Sequence, residues 1–151
     1  MMALMGKALI CIARALISLI FLYAGASKVM NWQRTVDVLS MTLSNWYTHL
    51  DGTLITEQVH EFLLESAPLI LGVATFLKIC GALLLILGIK VKWGAFMLLV
   101  FLIPTTIIFH AFWFEIGADQ EKEIGIFLKN LALIGGLLYF LIGSPFERSE
   151  P

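Results

Sequence analysis

The sequence predicts an all-α membrane protein, a bundle of four transmembrane helices in a single domain over residues 1–151. The first observation is composition, since 60% of the residues are hydrophobic and 14% are charged. Ordinary soluble domains carry about 45–50% apolar and about 25% charged residues. A domain of this size cannot bury such an excess in its own core, so a second apolar solvent is required. The other observation is that four apolar runs approach or exceed the roughly 20 residues needed to cross about 30 Å of hydrocarbon.

The four predicted spans lie at about residues 8–29, 67–89, 93–114 and 124–143. Each is interpreted as a helix, because backbone exposed to lipid must satisfy its own hydrogen bonds. The first run also has features of a cleaved signal peptide, since Lys7 precedes it and Ala24, Gly25 and Ala26 imitate a cleavage site. Arg14 interrupts that run, which is also long for a signal core, so a retained span is favoured.

The connection at 30–66 is predicted to contain an amphipathic surface helix at 31–49. Its apolar residues at near-helical spacing are Trp32, Val36, Leu39, Leu43 and Trp46. Such a pattern is typical of a helix at the membrane interface, where tryptophan is favoured. The connection at 90–92 is a tight turn, the one at 115–123 is short and acidic, and a tail covers 144–151.

The orientation depends on the basic residues near the helix ends. One side would hold Lys7, Lys90, Lys92 and Arg148, and the other side would hold Lys28, Arg34 and Lys122. The two sides therefore carry nearly equal numbers of basic residues. The two lysines of the short 90–92 turn decide which side is cytoplasmic. We therefore expect cytoplasmic termini, with 30–66 and 115–123 facing outward, in a bacterial inner (plasma) membrane.

Charge and cysteine content exclude several classes of protein. The net charge of −1 gives no basic surface for nucleic acid. Cys11 and Cys80 lie in apolar runs without a C-x-x-C or a metal-ligand spacing, so neither a metal site nor thiol chemistry is predicted. The expected partners are the lipid bilayer and either a second protein or further copies of the chain.

Small and polar residues recur on single faces of the predicted helices. Gly81 and Gly88 share such a face of the second helix, where small residues let packed backbones approach closely. In the third helix, Pro104 predicts a kink. Thr106 and His110 share a face there, which is interpreted equally as a ligand pocket or as packing.

The charged residues inside the apolar runs are the candidate site. Each ionisable group at membrane depth costs about 2.5–3.5 kcal/mol on insertion scales. Lys28 and Lys129 can extend to the headgroups, but Lys78 lies roughly 16 Å into its helix at 1.5 Å per residue. No Asp or Glu lies in the core of a predicted span. Three interpretations stay open: an anionic or electron-rich ligand, an acid supplied by a partner, or a Lys78 that is neutral through desolvation.

Each predicted span contains a distinctive segment: LYAGASK at 22–28, LKICGALLLILG at 77–88, PTTIIFHAFW at 104–113 and KNLALIGG at 129–136. Together, and in this order, these segments resemble the helices of the DoxX family of bacterial membrane proteins. The resemblance implies a four-helix inner-membrane protein. Members include small subunits of thiosulfate:quinone oxidoreductases and membrane partners of thiol-stress enzymes. Many members carry a glutamate near the start of the second motif, where this chain has Lys78.

Together these features favour a DoxX-like membrane subunit of a bacterial redox system that binds a quinone or a small anion. The ligand-binding candidates are Lys28, Lys78, Thr106, His110, Lys129 and Asn130. Cationic and amide donors would stabilise a reduced quinone head, and an imidazole exchanges protons near neutral pH. Because no residue stores electrons, the chain would not be catalytic alone. The alternatives are a non-enzymatic anchor or assembly scaffold for a peripheral protein, and a transporter or lipid-binding protein.

Overall fold

The computed structural model describes residues 2–50 and 55–143, which form an all-α membrane protein. The six α-helices of these residues are α1 (Met2–Met30), α2 (Trp32–Leu50), α3 (Glu57–Glu65), α4 (Ala67–Leu87), α5 (Val91–Phe109) and α6 (Ala118–Ile142). A short 3₁₀ helix, Phe112–Phe114, follows α5. Four segments are long and apolar enough to cross a membrane: Leu4–Met30, Ala67–Leu87, Val91–Phe114 and Ala118–Ile142. The prediction of four spans is confirmed. The predicted tail at 144–151, with Arg148, lies outside the described residues, as do positions 51–54 of the long connection.

The ends of the helices differ from the predicted ends for local reasons. α4 stops at Leu87 because Gly88 adopts a left-handed conformation with φ 71°, which glycine tolerates without strain. α6 begins at Ala118, ahead of the predicted 124, with Asp119 and Glu121 in its first turn. Acidic side chains are favourable there because they face the positive end of the helix dipole.

The four long helices alternate in direction. Gly25 of α1 lies against Ile79 of α4, and Arg14 of α1 lies against Gly88 just after the end of α4, so these two helices are antiparallel. α5 packs on α4, and α6 packs on α5. We call the end that carries α2 and α3 the loop end, and the end that carries the connection between α4 and α5 the turn end.

The core lies where α4 meets α5, and its centre is a contact between two glycines. A Cβ atom added to Gly94 would lie 2.8 Å from the carbonyl oxygen of Gly81. Leu85 and Leu98 beside this contact are fully buried. The predicted close approach of two helix backbones is therefore found at Gly81. Gly88, the other glycine of the predicted face, instead ends α4.

α5 continues as a helix through Pro104 as far as Phe109. The hydroxyls of Thr105 and Thr106 donate to the carbonyl oxygens of Phe101 and Leu102, each at 2.7 Å. Both hydroxyl groups are therefore hydrogen-bonded within α5, each to a carbonyl oxygen one turn earlier in the chain.

α2 is the predicted amphipathic helix, and its apolar face packs on the protein. Leu39 is buried against Ala67 and Leu71 of α4. The indole Nε1 of Trp46 donates to the carbonyl oxygen of Ile108 at 2.8 Å. Contacts with α4 and α5 therefore fix α2 at the loop end, and its position at a membrane interface stays a prediction.

Candidate functional site

A cavity of about 420 Å³ lies at the loop end, where α1 ends, α2 begins and α5 ends. We call it the basic pocket. It is lined by Ser27, Lys28, Asn31, Arg34, Thr35, Val38, Thr105, Phe109 and His110. Three of these side chains are basic, and each comes from a different helix or helix end.

Local hydrogen bonds shape the wall that α1 and α2 give to the basic pocket. The amide of Asn31 donates to the carbonyl oxygen of Ser27 at 2.9 Å, and the hydroxyl of Thr35 donates to that of Asn31 at 2.8 Å. These bonds span the junction of α1 and α2, so Lys28 and Arg34 are carried on a nearly continuous helical surface. The ammonium of Lys28 lies 5.4 Å from the centroid of the Phe109 ring, within the range of a cation–π contact.

His110 closes the basic pocket from α5. The helix ends at Phe109, and His110 leaves it with φ −120° and ψ 50°. Its Nδ1 lies 2.7 Å from Oε2 of Glu123 in α6. Glu123 does not line the basic pocket, whereas Lys28 and Arg34 do, and basic side chains suit an anionic or electron-rich group.

A second cavity, of about 370 Å³, runs between α4 and α5. We call it the apolar groove. It is lined by Lys28, Leu39, Leu69, Ile70, Leu71, Val73, Ala74, Leu77, Val100, Phe101, Pro104, Thr105, Ile108 and Phe109. Leu69 and Val73 are 70% and 52% exposed, so the groove opens toward the lipid-facing surface.

The apolar groove and the basic pocket share three lining residues, Lys28, Thr105 and Phe109. One end of the groove therefore meets the basic pocket. A ligand that fills both would be an amphiphile, with an apolar tail between α4 and α5 and a polar head beside Lys28. Binding sites of this kind are largely apolar, with a few polar groups that fix the orientation of the ligand.

Lys78 lines neither cavity. Its side chain is 2% exposed, and its Nζ lies 4.5 Å from the centroid of the Phe101 ring. Since Phe101 lines the apolar groove, Lys78 contacts a groove residue from its inner side.

The other predicted site residues are dispersed. His110 and Lys28 meet in the basic pocket, but Lys129 is on an exposed face of α6. Asn130 is 8% exposed in the same helix, and Thr106 is 2% exposed with its hydroxyl bonded to its own helix. None of Lys129, Asn130 and Thr106 lines the groove or the basic pocket.

Seven of the nine residues that line the basic pocket are not among the predicted ligand contacts: Ser27, Asn31, Arg34, Thr35, Val38, Thr105 and Phe109. A signal for Asn31 exists, since it lies three residues after Lys28 and therefore shares its helical face. From the sequence, the connection at 30–66 is interpreted as an element separate from the first span. A helical surface that continues from Lys28 to Asn31 is therefore not predicted. Nothing in the sequence indicates that Phe109 joins the two cavities.

A comparison with protein families matches most of the chain. The family model described as DoxX matches residues 9–111. The matched segment runs from α1 to just beyond α5, so it includes the basic pocket and the apolar groove but leaves out α6. No curated protein and no solved structure matches the chain.

Proposed function

Because the chain belongs to the DoxX family, we propose that it is a quinone-binding membrane subunit of a bacterial redox system. The observation that carries this proposal is the junction of the apolar groove with the basic pocket at Lys28, Thr105 and Phe109. A membrane quinone has an apolar tail and a head with two carbonyl oxygens. The groove suits the tail, and the pocket offers hydrogen-bond donors to the head.

The donors of the basic pocket fit the chemistry of quinone reduction. Ammonium and guanidinium groups only donate hydrogen bonds, so Lys28 and Arg34 would bind a carbonyl oxygen and hold it more strongly once it becomes negative. Donors placed where charge develops favour the reduced state, because they need no reorganisation. Electrons must come from a flavin or haem of a partner protein, since protein side chains such as these do not store them.

Direct binding tests the proposal. The full-length protein would be placed in nanodiscs of phosphatidylcholine and titrated with a quinone that carries a short isoprenoid tail, with tryptophan fluorescence as the signal. Lys28→Met should raise the Kd by at least about tenfold, since a hydrogen bond to a charged group contributes about 1.5–3 kcal/mol. Lys122→Met is the matched control, because Lys122 is an exposed lysine of α6 near the same end.

Two results would contradict quinone binding. Absence of saturable binding to the parent protein would refute it outright. Saturation by phosphatidylglycerol, with no effect of the quinone, would show that the two cavities hold an anionic lipid instead.

The anchoring alternative is favoured by one surface. Glu57, Glu61 and Glu65 are exposed at a spacing of four on α3, beside a Phe62 that is 66% exposed. Like charges at this spacing destabilise an isolated helix slightly, so a basic partner protein would relieve the repulsion. The anchoring function predicts that a partner protein co-purifies with the parent chain and that Glu61→Lys abolishes this co-purification. That result, together with no binding of quinone to the parent chain, would favour anchoring over a redox function.

A further inference from the structure

A third cavity, of about 160 Å³, lies beside Phe109, which also lines the basic pocket. We call it the outer cavity. It is lined by Thr42, Asn45, Trp46, Ile108, Phe109, Ala111, Glu115 and Glu123. Asn45 is exposed, so the cavity reaches the protein surface at the loop end. A polar cavity of this size has room for several waters.

One pair of side chains connects the outer cavity with the basic pocket. His110 lines the basic pocket, Glu123 lines the outer cavity, and the 2.7 Å contact from Nδ1 to Oε2 joins them. The two side chains are 21% and 24% exposed. Phe109 lines both cavities, so they adjoin each other at this ring.

The position of the pair is set by backbone geometry. The amide of His110 donates to the carbonyl oxygen of Thr106 at 3.2 Å, and its own carbonyl oxygen accepts from the amide of Phe112 at 2.9 Å. The imidazole is thus held at the end of α5, across from Glu123 in the second turn of α6. The other charged groups that line these cavities are Lys28 and Arg34 on the inner side and Glu115 on the outer side.

We propose that His110 and Glu123 form a proton relay between a quinone head in the basic pocket and water in the outer cavity. The relay rests on the proposed quinone binding and adds a route for protons to it. Imidazole suits the inner position because it both donates and accepts protons near neutral pH. The carboxylate suits the outer position because its oxygens accept hydrogen bonds from water.

The transfers balance as follows. Reduction of one quinone to its quinol takes two electrons, from the flavin or haem of the redox partner, and two protons. For each proton, the N–H bond at Nε2 of His110 breaks as an O–H bond forms on a quinone oxygen, and Nδ1 takes the proton of the Glu123 carboxyl group. Glu123 regains a proton from a hydronium ion in the outer cavity, and rotation of the imidazole ring, which exchanges its two nitrogens, restores the starting state of the pair.

Proton uptake after a pulse of electrons tests the relay. The full chain in nanodiscs, loaded with the short-tailed quinone, would be reduced by photoreduced flavin mononucleotide. A pH indicator would report proton uptake, and absorbance would report the semiquinone anion. Glu123→Gln should slow uptake at least about tenfold per bound quinone and lengthen the life of the anion, because it removes general acid–base transfer. The Kd for the quinone should change less than about twofold, since Glu123 does not line the basic pocket.

Glu121→Gln is the matched control, because Glu121 is an exposed acid in the same helix. It should leave proton uptake unchanged. His110→Gln gives a second variant if Glu123→Gln does not fold, and it should also slow uptake per bound quinone. Bound quinone with uptake as fast as in the parent would overturn the relay alone. A parent protein that binds no quinone would instead overturn the proposed function, so the two failures are distinguishable.

Discussion

α4 and α5 approach each other closely at Gly81 and Gly94, and this contact can be tested with a single methyl group. In Gly94→Ala, the new Cβ atom would lie 2.8 Å from the carbonyl oxygen of Gly81, and 3.0 Å from both the Cβ of Leu84 and the backbone nitrogen of Leu85. Two of these three atoms belong to the backbone, so no rotamer change can relieve the overlap. The two helices must separate by several tenths of an ångström to restore ordinary van der Waals contact.

The cost of that separation follows from the packing around it. Leu85 and Leu98 are fully buried beside the contact, so their side chains lose contacts when the helices separate. Overpacking of a tight core typically costs about 1–3 kcal/mol. Alanine also gains up to about 1 kcal/mol in helix propensity over glycine. Gly135→Ala receives the same gain without the overlap, because a Cβ at Gly135 meets nothing within 4 Å.

The propensity gain cancels in a comparison of the two variants, which isolates the packing cost. The free energy of unfolding of Gly94→Ala should be about 1–3 kcal/mol lower than that of Gly135→Ala. Reversible unfolding in mixed micelles, followed by circular dichroism, measures the difference. If Gly94→Ala is as stable as Gly135→Ala, α4 and α5 do not meet at these glycines and the packing described here is incorrect.

Three further substitutions separate structural roles from binding roles. Lys78→Met removes the contact of Nζ with the Phe101 ring, worth about 2 kcal/mol, and also the cost of burying a polar group, so the two changes oppose each other and stability should change by less than about 2 kcal/mol. Quinone titration should give an unchanged Kd, and a tenfold rise would show that Lys78 reaches the ligand. Trp46→Phe removes the hydrogen bond to Ile108, which is worth about 1 kcal/mol, so amide hydrogen exchange in α2 should become about fivefold faster. An unaltered exchange rate would mean that this hydrogen bond does not hold α2 in place. Lys129→Met should leave quinone affinity as it is, because Lys129 is exposed and outside both cavities, and weaker binding would place α6 in the site.

The fold was predictable because its signals are local in the sequence. An apolar run long enough to cross a bilayer identifies a span without any knowledge of its neighbours. The same holds for α2, whose apolar residues at 36, 39, 43 and 46 recur at a helical period. The DoxX motifs at 22–28, 77–88 and 104–113 fall in or across the segment that the family model matches, whereas the one at 129–136 falls after it.

The composition of the candidate site was only partly predictable. Lys28 and His110 were selected from the sequence because they are charged or polar next to apolar runs, and both line the basic pocket. Lys129 satisfied the same criterion and lies on an exposed face of α6. Spacing along one helix determines which residues share a face, but it does not determine which neighbour that face meets.

What the sequence determined by itself is the all-α membrane architecture, its four spans, its amphipathic second helix and its family. The rotation of each helix about its own axis was decided only in the tertiary structure. Contacts such as Gly81 against Gly94 set that rotation, because close packing of the backbones leaves few ways to seat one helix on another. That rotation placed Lys78 behind Phe101, turned Lys129 outward and brought His110 to Glu123. These three residues lie on separate helices or helix ends, so their surroundings depend on contacts that are distant in the chain.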